Sequence, residues 1–281
     1  MPRTIKLVLA YDGAAYVGWQ RQSRGPSIQG LIEDALSRIE GDRVSLDGAG
    51  RTDAGVHAFG QVASARVTTA HDVVALKRAL NAMLPADIRV VNLEDVADSF
   101  HARYSATGKT YDYWIWQGDV LPPLLRGSCW QIARVLDVEA MDAAARCLEG
   151  RHDFGSFQSA RHDTKTSVRT IWSARVAAGA PLMARGTSPF APPAGDAAGE
   201  AGGHGHPVVV RMEGDGFLRH MVRAVVGTLV EVGDHRRTAD SIRGLLERPD
   251  RGEAGPTAPP RGLVLVGVHY GPSVAPDAGS R

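Results

Sequence analysis

The sequence of 281 residues has only two cysteines, Cys129 and Cys147, which is too few for a framework of disulfide bonds. Neither cysteine belongs to a cluster of cysteines and histidines with the spacing of a metal site. The sequence therefore predicts a protein of a reducing compartment, without structural disulfide bonds and without a bound metal ion.

Long apolar runs are also missing. No uninterrupted apolar segment is long enough to cross a lipid bilayer. The first residues, Met1 to Lys6, lack the apolar core of a secretory signal peptide. We therefore expect a cytoplasmic protein that does not act at a membrane.

An excess of charge of one sign is missing too, because 32 lysines and arginines face 31 aspartates and glutamates and the net charge is +1. A uniformly basic nucleic-acid-binding protein is not indicated, but a local basic face is possible, since clustering matters more than the sum. The most basic and histidine-rich stretch runs from Arg151 to Arg169 and includes Arg161 and His162. Such a run is either a solvated face or a track for phosphates. We predict that its basic residues line one cleft.

Motifs for cofactors are absent as well. The sequence has neither a dinucleotide-binding fingerprint nor a phosphate-binding P-loop. His204 and His206 lie in a tract rich in alanine, glycine and proline at residues 177–207, which we interpret as a flexible insertion. Two histidines in such a tract supply too few fixed ligands for a metal. The sequence thus predicts no cofactor and no metal site.

One short stretch, residues 49–58, concentrates the polar chemistry that is present. Glycines at 48, 50 and 55 frame Arg51, Thr52, Asp53 and His57. Glycine allows a close approach of another backbone or of a ligand, so a loop of this kind between two strands is a candidate site. The other interpretation is a polar hairpin connection whose aspartate caps its own turn.

The first half of the chain has the order β-α-β-β-α-β, which is the split βαβ pattern of ferredoxin-like domains. Apolar residues recur at helical spacing after Ser27 and after Asp72, and both residues are suited to cap a helix. The strands are predicted at residues 5–11, 43–46, 60–67 and 88–93.

The second half has the order β-α-β-β-α-α-β. Its strands are predicted at residues 110–116, 168–176, 208–212 and 263–268, the last of them buried. Its helices are predicted from Asp137 to Gly150, over residues 217–230, and after a cap at Thr238. We therefore predict an α+β protein of two tandem ferredoxin-like halves, residues 1–105 and 106–281. Their antiparallel or mixed sheets are expected to join, with a cleft at the centre where a ligand could bind.

Arg223 has an unusual position on the predicted helix 217–230. At about 100° per residue it falls on the edge of the apolar stripe and not on the opposite polar face. A guanidinium at such a border either extends to water or pairs with a buried carboxylate. If Arg223 is paired, Asp53 is the partner that we would choose.

Several motifs in a fixed order make the chain resemble the bacterial tRNA pseudouridine synthase A family. The resemblance extends over nearly the whole chain apart from residues 177–207 and the tail. The motifs are Tyr11-Asp12-Gly13 with Gly18-Trp19-Gln20-Arg21-Gln22, Ala49-Gly50-Arg51-Thr52-Asp53-Ala54-Gly55-Val56-His57, Phe100-His101-Ala102-Arg103 with Ser105-Ala106-Thr107, Tyr111 with Tyr113, and His220-Met221-Val222-Arg223 with Val226-Gly227.

The resemblance implies that the central cleft is an RNA-binding active site, and it implies an activity and roles for single residues. It implies isomerisation of uridine to pseudouridine at positions 38, 39 and 40 in the anticodon stem-loop of tRNA, by a homodimer. Asp53 would be the nucleophile, and Arg223 would form a salt bridge to it. Tyr111 would stack on the target uracil and could remove the C5 proton, while Arg51 would help to hold the RNA.

The chemistry of that reaction agrees with the residues. Breaking the glycosidic bond and rejoining the base through C5 needs neither a redox cofactor nor a group donor, and an ionised carboxylate can act as the nucleophile. Three routes stay open for it: attack at C6 of the base, attack at C1′ of the ribose, and deprotonation of C2′. The alternative function is a non-catalytic tRNA-binding or RNA-folding protein on the same scaffold. Asp53 argues against it, since a carboxylate facing phosphates weakens binding.

Overall fold

A computed structural model describes residues 2–159, 165–179 and 205–271. Arg161, His162, His204, most of the predicted insertion and the tail lie outside these ranges. The described chain divides into two compact units, the first of residues 2–109 with 264–271 and the second of the described residues between 110 and 263.

Strands and helices alternate along the chain and form an α+β protein. In chain order they are β1 (Arg3–Tyr11), α1 (Ile28–Glu40), β2 (Asp47–Gly48), β3 (His57–Val67), α2 (Val73–Met83), β4 (Ile88–Val96), β5 (Ala106–Gln117), β6 (Trp130–Ile132), α3 (Val138–Arg146), β7 (Gly150–Asp153), β8 (Val168–Ala178), β9 (His206–Gly214), α4 (Met221–Gly233), α5 (Asp240–Glu247) and β10 (Leu263–Tyr270). No helix of the described chain is both long enough and apolar enough to cross a membrane.

The first unit has a mixed sheet with the order β4-β1-β3-β10. β1 pairs antiparallel with both β3 and β4, whereas β10 pairs parallel with the start of β3, at Val264 opposite His57 and Leu265 opposite Ala58. β2 pairs with β3 further along, at Asp47 opposite Ser64. β3, which follows the Asp53 loop directly, is therefore paired along both edges.

The predicted strand at residues 43–46 is wrong, because only Asp47 and Gly48 join the sheet. Two side chains of α1 take the backbone N–H groups that a strand would use. Val44 N–H donates to the Ser37 hydroxyl at 2.9 Å, and Leu46 N–H donates to Glu33 at 3.0 Å. A helix thus holds this segment in place of a neighbouring strand.

The predicted helix starts of the first unit are confirmed. The side chain of Ser27 accepts a hydrogen bond from Gly30 N–H, and that of Asp72 accepts one from Ala75 N–H. α1 ends at Gly41, which adopts the left-handed φ of 74° that glycine tolerates best. The apolar side chains of β1 that alternate with half-buried residues are fully buried with those of both helices: Ile5, Leu7, Leu9, Ile28, Ile32, Leu36, Leu76 and Leu80.

The second unit has the strand order β5-β9-β8-β7, and the short β6 pairs parallel with β5. Asp137 caps α3 as predicted. The predicted end at Gly150 is wrong, because α3 ends at Arg146 and Gly150, with a φ of 108°, begins β7.

Two further helix boundaries and one burial pattern differ from the prediction. α4 begins at Met221, four residues later than expected, because His220 adopts a left-handed φ of 65° that no helix can include. Thr238 does not cap α5 through its side chain; its carbonyl instead accepts hydrogen bonds from Ser241. β10 is buried only over residues 263–265 and half-buried beyond them.

Candidate active site

Asp53 lies in the loop that joins β2 to β3. Val56 N–H donates to the Asp53 carbonyl at 3.1 Å and closes a tight turn around it. Within this turn Arg51 is exposed, Asp53 is half-buried and Thr52 is buried. Part of Asp53 is thus accessible while its buried neighbour Thr52 anchors the loop.

The segment after β1 holds the loop from the other side. The Tyr11 hydroxyl shares a hydrogen bond of 2.8 Å with the Thr52 hydroxyl, and Trp19 N–H donates to the Thr52 carbonyl at 3.0 Å. Gly18 lies so close that a Cβ built on it would come within 2.6 Å of the Thr52 carbonyl oxygen and 3.0 Å of the Asp53 carbonyl carbon. Both sides of Asp53 are therefore fixed by residues more than 30 positions away.

Tyr11 and Gln61 support the loop from within the sheet, and the sequence analysis missed both. Burial raises the pKa of Tyr11 to about 12, so its hydroxyl stays protonated at neutral pH. The Gln61 side-chain N–H donates to the Gly50 carbonyl at 2.9 Å and lies 3.5 Å from the Tyr11 hydroxyl. The sequence contains no clear signal for Gln61, because β3 also contains other polar residues, Ser64 and Arg66 among them.

His57 lies at the end of the loop, buried, with its Nδ1 facing the segment after β1. Gly13 N–H donates to this nitrogen at 3.2 Å, and the Asp12 carboxylate lies 3.0 Å from it. One nitrogen cannot accept and donate at once. Nδ1 therefore accepts from Gly13 N–H when it carries no proton and donates to Asp12 when it carries one, and in both cases it ties the loop to residues 12–13. The sequence left the role of His57 open; the structure gives it a positioning contact.

Lys109 places a positive charge at the beginning of the same loop. A Cβ built on Gly50 would come within 2.6 Å of Lys109 Nζ, so the ammonium occupies the space that a side chain at position 50 would fill. Lys109 is half-buried. Nothing in the spacing of the sequence indicated this contact, which joins residues 59 positions apart.

Tyr111 lies in β5 of the second unit and is buried, with 7% of its surface exposed. Its ring meets the Phe217 ring edge to face, with centroids 5.1 Å apart and an angle of 78° between the planes. Phe217 is half-buried and precedes α4. The contact fixes the orientation of the phenol ring and adds a second aromatic side chain that the sequence analysis missed.

Arg223 lies in the first turn of α4. Its Nε–H donates to the Ala258 carbonyl at 2.8 Å, while Ala258 N–H donates to the Arg223 carbonyl at 3.0 Å. α4 has no polar face, because all its residues except Arg223 and Glu231 are buried. The predicted one-sided apolar stripe is therefore wrong, but the prediction that Arg223 stands at the border of a core is confirmed.

The expectation that the basic stretch 151–169 lines one cleft is wrong for its described arginines. In the antiparallel pair of β7 and β8, Arg151 lies opposite Thr170 and His152 lies opposite Arg169. Neighbouring residues of a strand point to opposite faces. Arg151 and Arg169 therefore point to opposite faces, and the stretch is not one continuous basic track.

Within the part of the chain that the structure describes, no group of three or more histidine, cysteine, aspartate or glutamate residues has the geometry to hold a metal ion. Cys129 and Cys147 are free thiols.

We predict that Gly18→Ala lowers the rate of the reaction at Asp53 by about 100-fold, since displacements near 1 Å in an active site have effects of this size. Gly18 has a φ of 106°, and its methyl group would strike the loop backbone. Single-turnover kinetics of the purified variant measure this effect.

Gly41→Ala is the matched control for Gly18→Ala. Gly41 also has a left-handed φ, of 74°, but nothing lies within 4 Å of its added Cβ. This variant should lose about 1 kcal/mol of stability through backbone strain alone and keep its activity. Equal rates for the two variants would show that the contact with the loop is irrelevant.

The fold and the loop together indicate a class of protein. A rigid loop on an α+β scaffold that presents one carboxylate is typical of enzymes in which a carboxylate takes part directly in the reaction. The family model described as tRNA pseudouridine synthase matches residues 7–105 and 144–271. The chain belongs to this family.

Three relatives named tRNA pseudouridine synthase A match this chain over nearly the whole length of both proteins. The tRNA pseudouridine synthase A of Myxococcus xanthus is 45% identical over 270 residues, which cover 96% of this chain and 92% of that protein. The protein of the same name from Nitratidesulfovibrio vulgaris is 41% identical, with 98% and 99% covered. That from Rhodospirillum rubrum is 40% identical, with 96% and 89% covered. The resemblance predicted from the motifs is confirmed.

Proposed function

We propose that this chain isomerises uridine to pseudouridine in tRNA and that Asp53 is its nucleophile. The observation that carries the proposal is the Asp53 loop, whose carboxylate is held half-buried while hydrogen bonds to Thr52 fix the backbone beside it. Membership of the tRNA pseudouridine synthase family supports the substrate. The non-catalytic alternative gains no support, since the relatives named above are synthases.

The reaction balances without an added reactant. The bond from N1 to C1′ breaks, the base rotates, a bond from C5 to C1′ forms, the proton leaves C5, and N1 gains a proton. We propose that Asp53 acts by attack at C6, by attack at C1′ or by deprotonation of C2′. An ionised and positioned carboxylate is suited to each of these routes.

We propose roles for three more residues. Tyr111 stacks on the flipped uracil and its phenol receives the C5 proton, with Phe217 fixing the ring edge to face. Arg223 forms a salt bridge with Asp53, which favours the charged form of the carboxylate. Arg51, exposed at the start of the loop, contacts the RNA after the target base has left the stack.

The finer details of function and architecture are part of the same proposal. We propose uridines 38, 39 and 40 of the anticodon stem-loop as targets, a homodimer as the active form and the cytoplasm as its location. We also propose that residues 1–105 and 106–281 are two ferredoxin-like halves. The order β4-β1-β3, with β2 on β3, supports this for the first half, and the order β5-β9-β8 supports it for the second.

The test is the release of tritium from unmodified tRNA that carries uridine tritiated at C5, incubated with the purified protein alone. Tritium must leave C5 when that carbon bonds to C1′, so the proposal expects release into water and pseudouridine at positions 38–40. Product at other positions would overturn the proposed targets. Tight tRNA binding without any release would overturn the catalytic proposal in favour of the binding protein.

A further inference from the structure

We infer that the turn at residues 101–105 is a second tRNA-binding site, at which Tyr104 stacks on an unpaired base and Arg103 contacts the adjacent phosphate. The inference rests on the proposed function, since it takes tRNA as the partner. It uses a motif of the sequence, residues 100–107, to which the reaction itself assigns no role.

The turn is rigid because the backbone N–H group of each of its five residues donates a hydrogen bond. The Nδ1 of His101 accepts from the N–H groups of Arg103 and Tyr104, at 3.1 and 3.4 Å. Ser105 closes the turn, since its hydroxyl accepts from His101 N–H at 3.1 Å and its N–H donates to the His101 carbonyl at 2.9 Å. Ordering this turn on binding therefore costs little entropy.

The base of the turn is anchored in the core of the first unit. Ala102 is fully buried, its N–H donates to the Ser64 hydroxyl at 3.0 Å, and its carbonyl accepts from the Tyr270 hydroxyl at 2.7 Å. The side chains on either side of Ala102 are consequently presented from a fixed position.

The side chain of Tyr104 is exposed, in contrast to that of the buried Ala102. It is 78% exposed, and it is the one aromatic residue among the exposed large apolar side chains of the described chain. Its ring centroid lies 4.3 Å from that of His101 and 5.9 Å from the guanidinium carbon of Arg103, which is itself exposed. The rigid turn thus presents a largely exposed aromatic ring beside an exposed guanidinium, the two groups that proteins use to bind single-stranded RNA.

The chemistry of the pair selects RNA as the occupant. A tyrosine ring offers a stacking face to any unpaired base, and an adjacent arginine supplies a charge for the backbone phosphate. A contiguous exposed apolar patch would indicate a protein partner. The side chains in contact with the Tyr104 ring are instead polar, His101 and Arg103, and His101 Nε2 lies 3.7 Å from the Asp47 carboxylate.

The test compares dissociation constants for unmodified tRNA, measured by fluorescence anisotropy with the full chain. Tyr104→Ala should weaken binding about 5- to 100-fold, the range measured for loss of one stacked base. Tyr104→Phe keeps the ring and should bind within about twofold of the parent. Arg103→Gln should reduce the slope of log affinity against log salt by about 0.7 to 0.9, the loss of one phosphate contact.

The control is Val74→Ala, which shortens an apolar side chain that is 64% exposed on α2 and should leave affinity unchanged. In single turnover with enzyme in excess, Tyr104→Ala should require a higher enzyme concentration for the half-maximal rate. Parental affinity in Tyr104→Ala, or equal losses in Tyr104→Ala and Tyr104→Phe, would overturn the inference. A changed oligomeric state with unchanged tRNA affinity would overturn it in favour of a protein interface.

Fluorescence anisotropy measures tRNA binding and not product formation. A parent that binds tRNA but releases no tritium therefore refutes the proposed activity and leaves this inference separately testable.

Discussion

Asp53→Asn is expected to lower the rate of pseudouridine formation by about four orders of magnitude or more, with the fold unchanged. Asparagine has nearly the shape of aspartate but cannot act as a nucleophile or a base, and loss of a covalent nucleophile has effects of this size. The turn should survive, since Val56 N–H binds the backbone carbonyl of residue 53 and not its side chain. Single-turnover tritium release with enzyme in excess of tRNA measures the rate of the chemical step.

Two controls make the result specific to position 53. Asp42→Asn changes an exposed carboxylate that accepts a hydrogen bond from the N–H of the adjacent Arg43. This variant should keep the parental rate. Asp53→Ala should be as inactive as Asp53→Asn, since both lack the carboxylate. If Asp53→Asn bound tRNA like the parent and formed product at more than a tenth of the parental rate, another group would be the nucleophile.

Asp112→Ala is expected to lower the free energy of unfolding by about 3–5 kcal/mol, the usual cost of breaking a buried ion pair from one side. Asp112 is fully buried in β5, and both its carboxylate oxygens accept hydrogen bonds of 2.7 Å from Arg211 of β9. The Arg211 side chain is only 19% exposed, so the variant leaves a largely buried guanidinium without its carboxylate. The thermal midpoint should fall by roughly 10 °C.

A second ion pair offers a matched comparison. Arg3 of β1 and Asp95 of β4 also pair across neighbouring strands, at 3.0 Å, but the Asp95 side chain is 52% exposed. Asp95→Ala should therefore cost at most about 1 kcal/mol. The double variant Asp112→Leu with Arg211→Met should recover part of the loss, because it leaves no buried charge. Equal losses for Asp112→Ala and Asp95→Ala would show that burial does not govern these pairs.

Local features of the fold could be predicted from the sequence because their causes lie within a few residues. Ser27, Asp72 and Asp137 accept hydrogen bonds from N–H groups three residues further on, so a short window contains the whole cap. The errors arose where a distant or unusual contact prevailed. Residues 43–46 have the composition of a strand, but Ser37 and Glu33 accept hydrogen bonds from the N–H groups of Val44 and Leu46. Nothing in the sequence indicated the left-handed backbone of His220.

The residues of the candidate site also fall into two groups, those that the sequence indicated and those that it did not. Asp53 and Arg51 could be found because the loop is one continuous motif with its own glycine frame. Tyr11, Gln61 and Lys109 were missed, since each reaches the loop by folding of the chain and none has a spacing that predicts it. Phe217 was assigned to a helix that in fact begins four residues later, so its contact with Tyr111 could not be inferred.

The pairing of β10 with β3 has a consequence for synthesis of the protein. A ribosome releases the Asp53 loop and β3 long before it makes β10, yet Val264 and Leu265 pair with His57 and Ala58, the residues that immediately follow the loop. The start of β3, which directly follows the Asp53 loop, therefore lacks this neighbour until the last part of translation. A fragment that stops before residue 263 lacks that pairing, so we expect the loop to reach its final support only when nearly the whole chain has emerged.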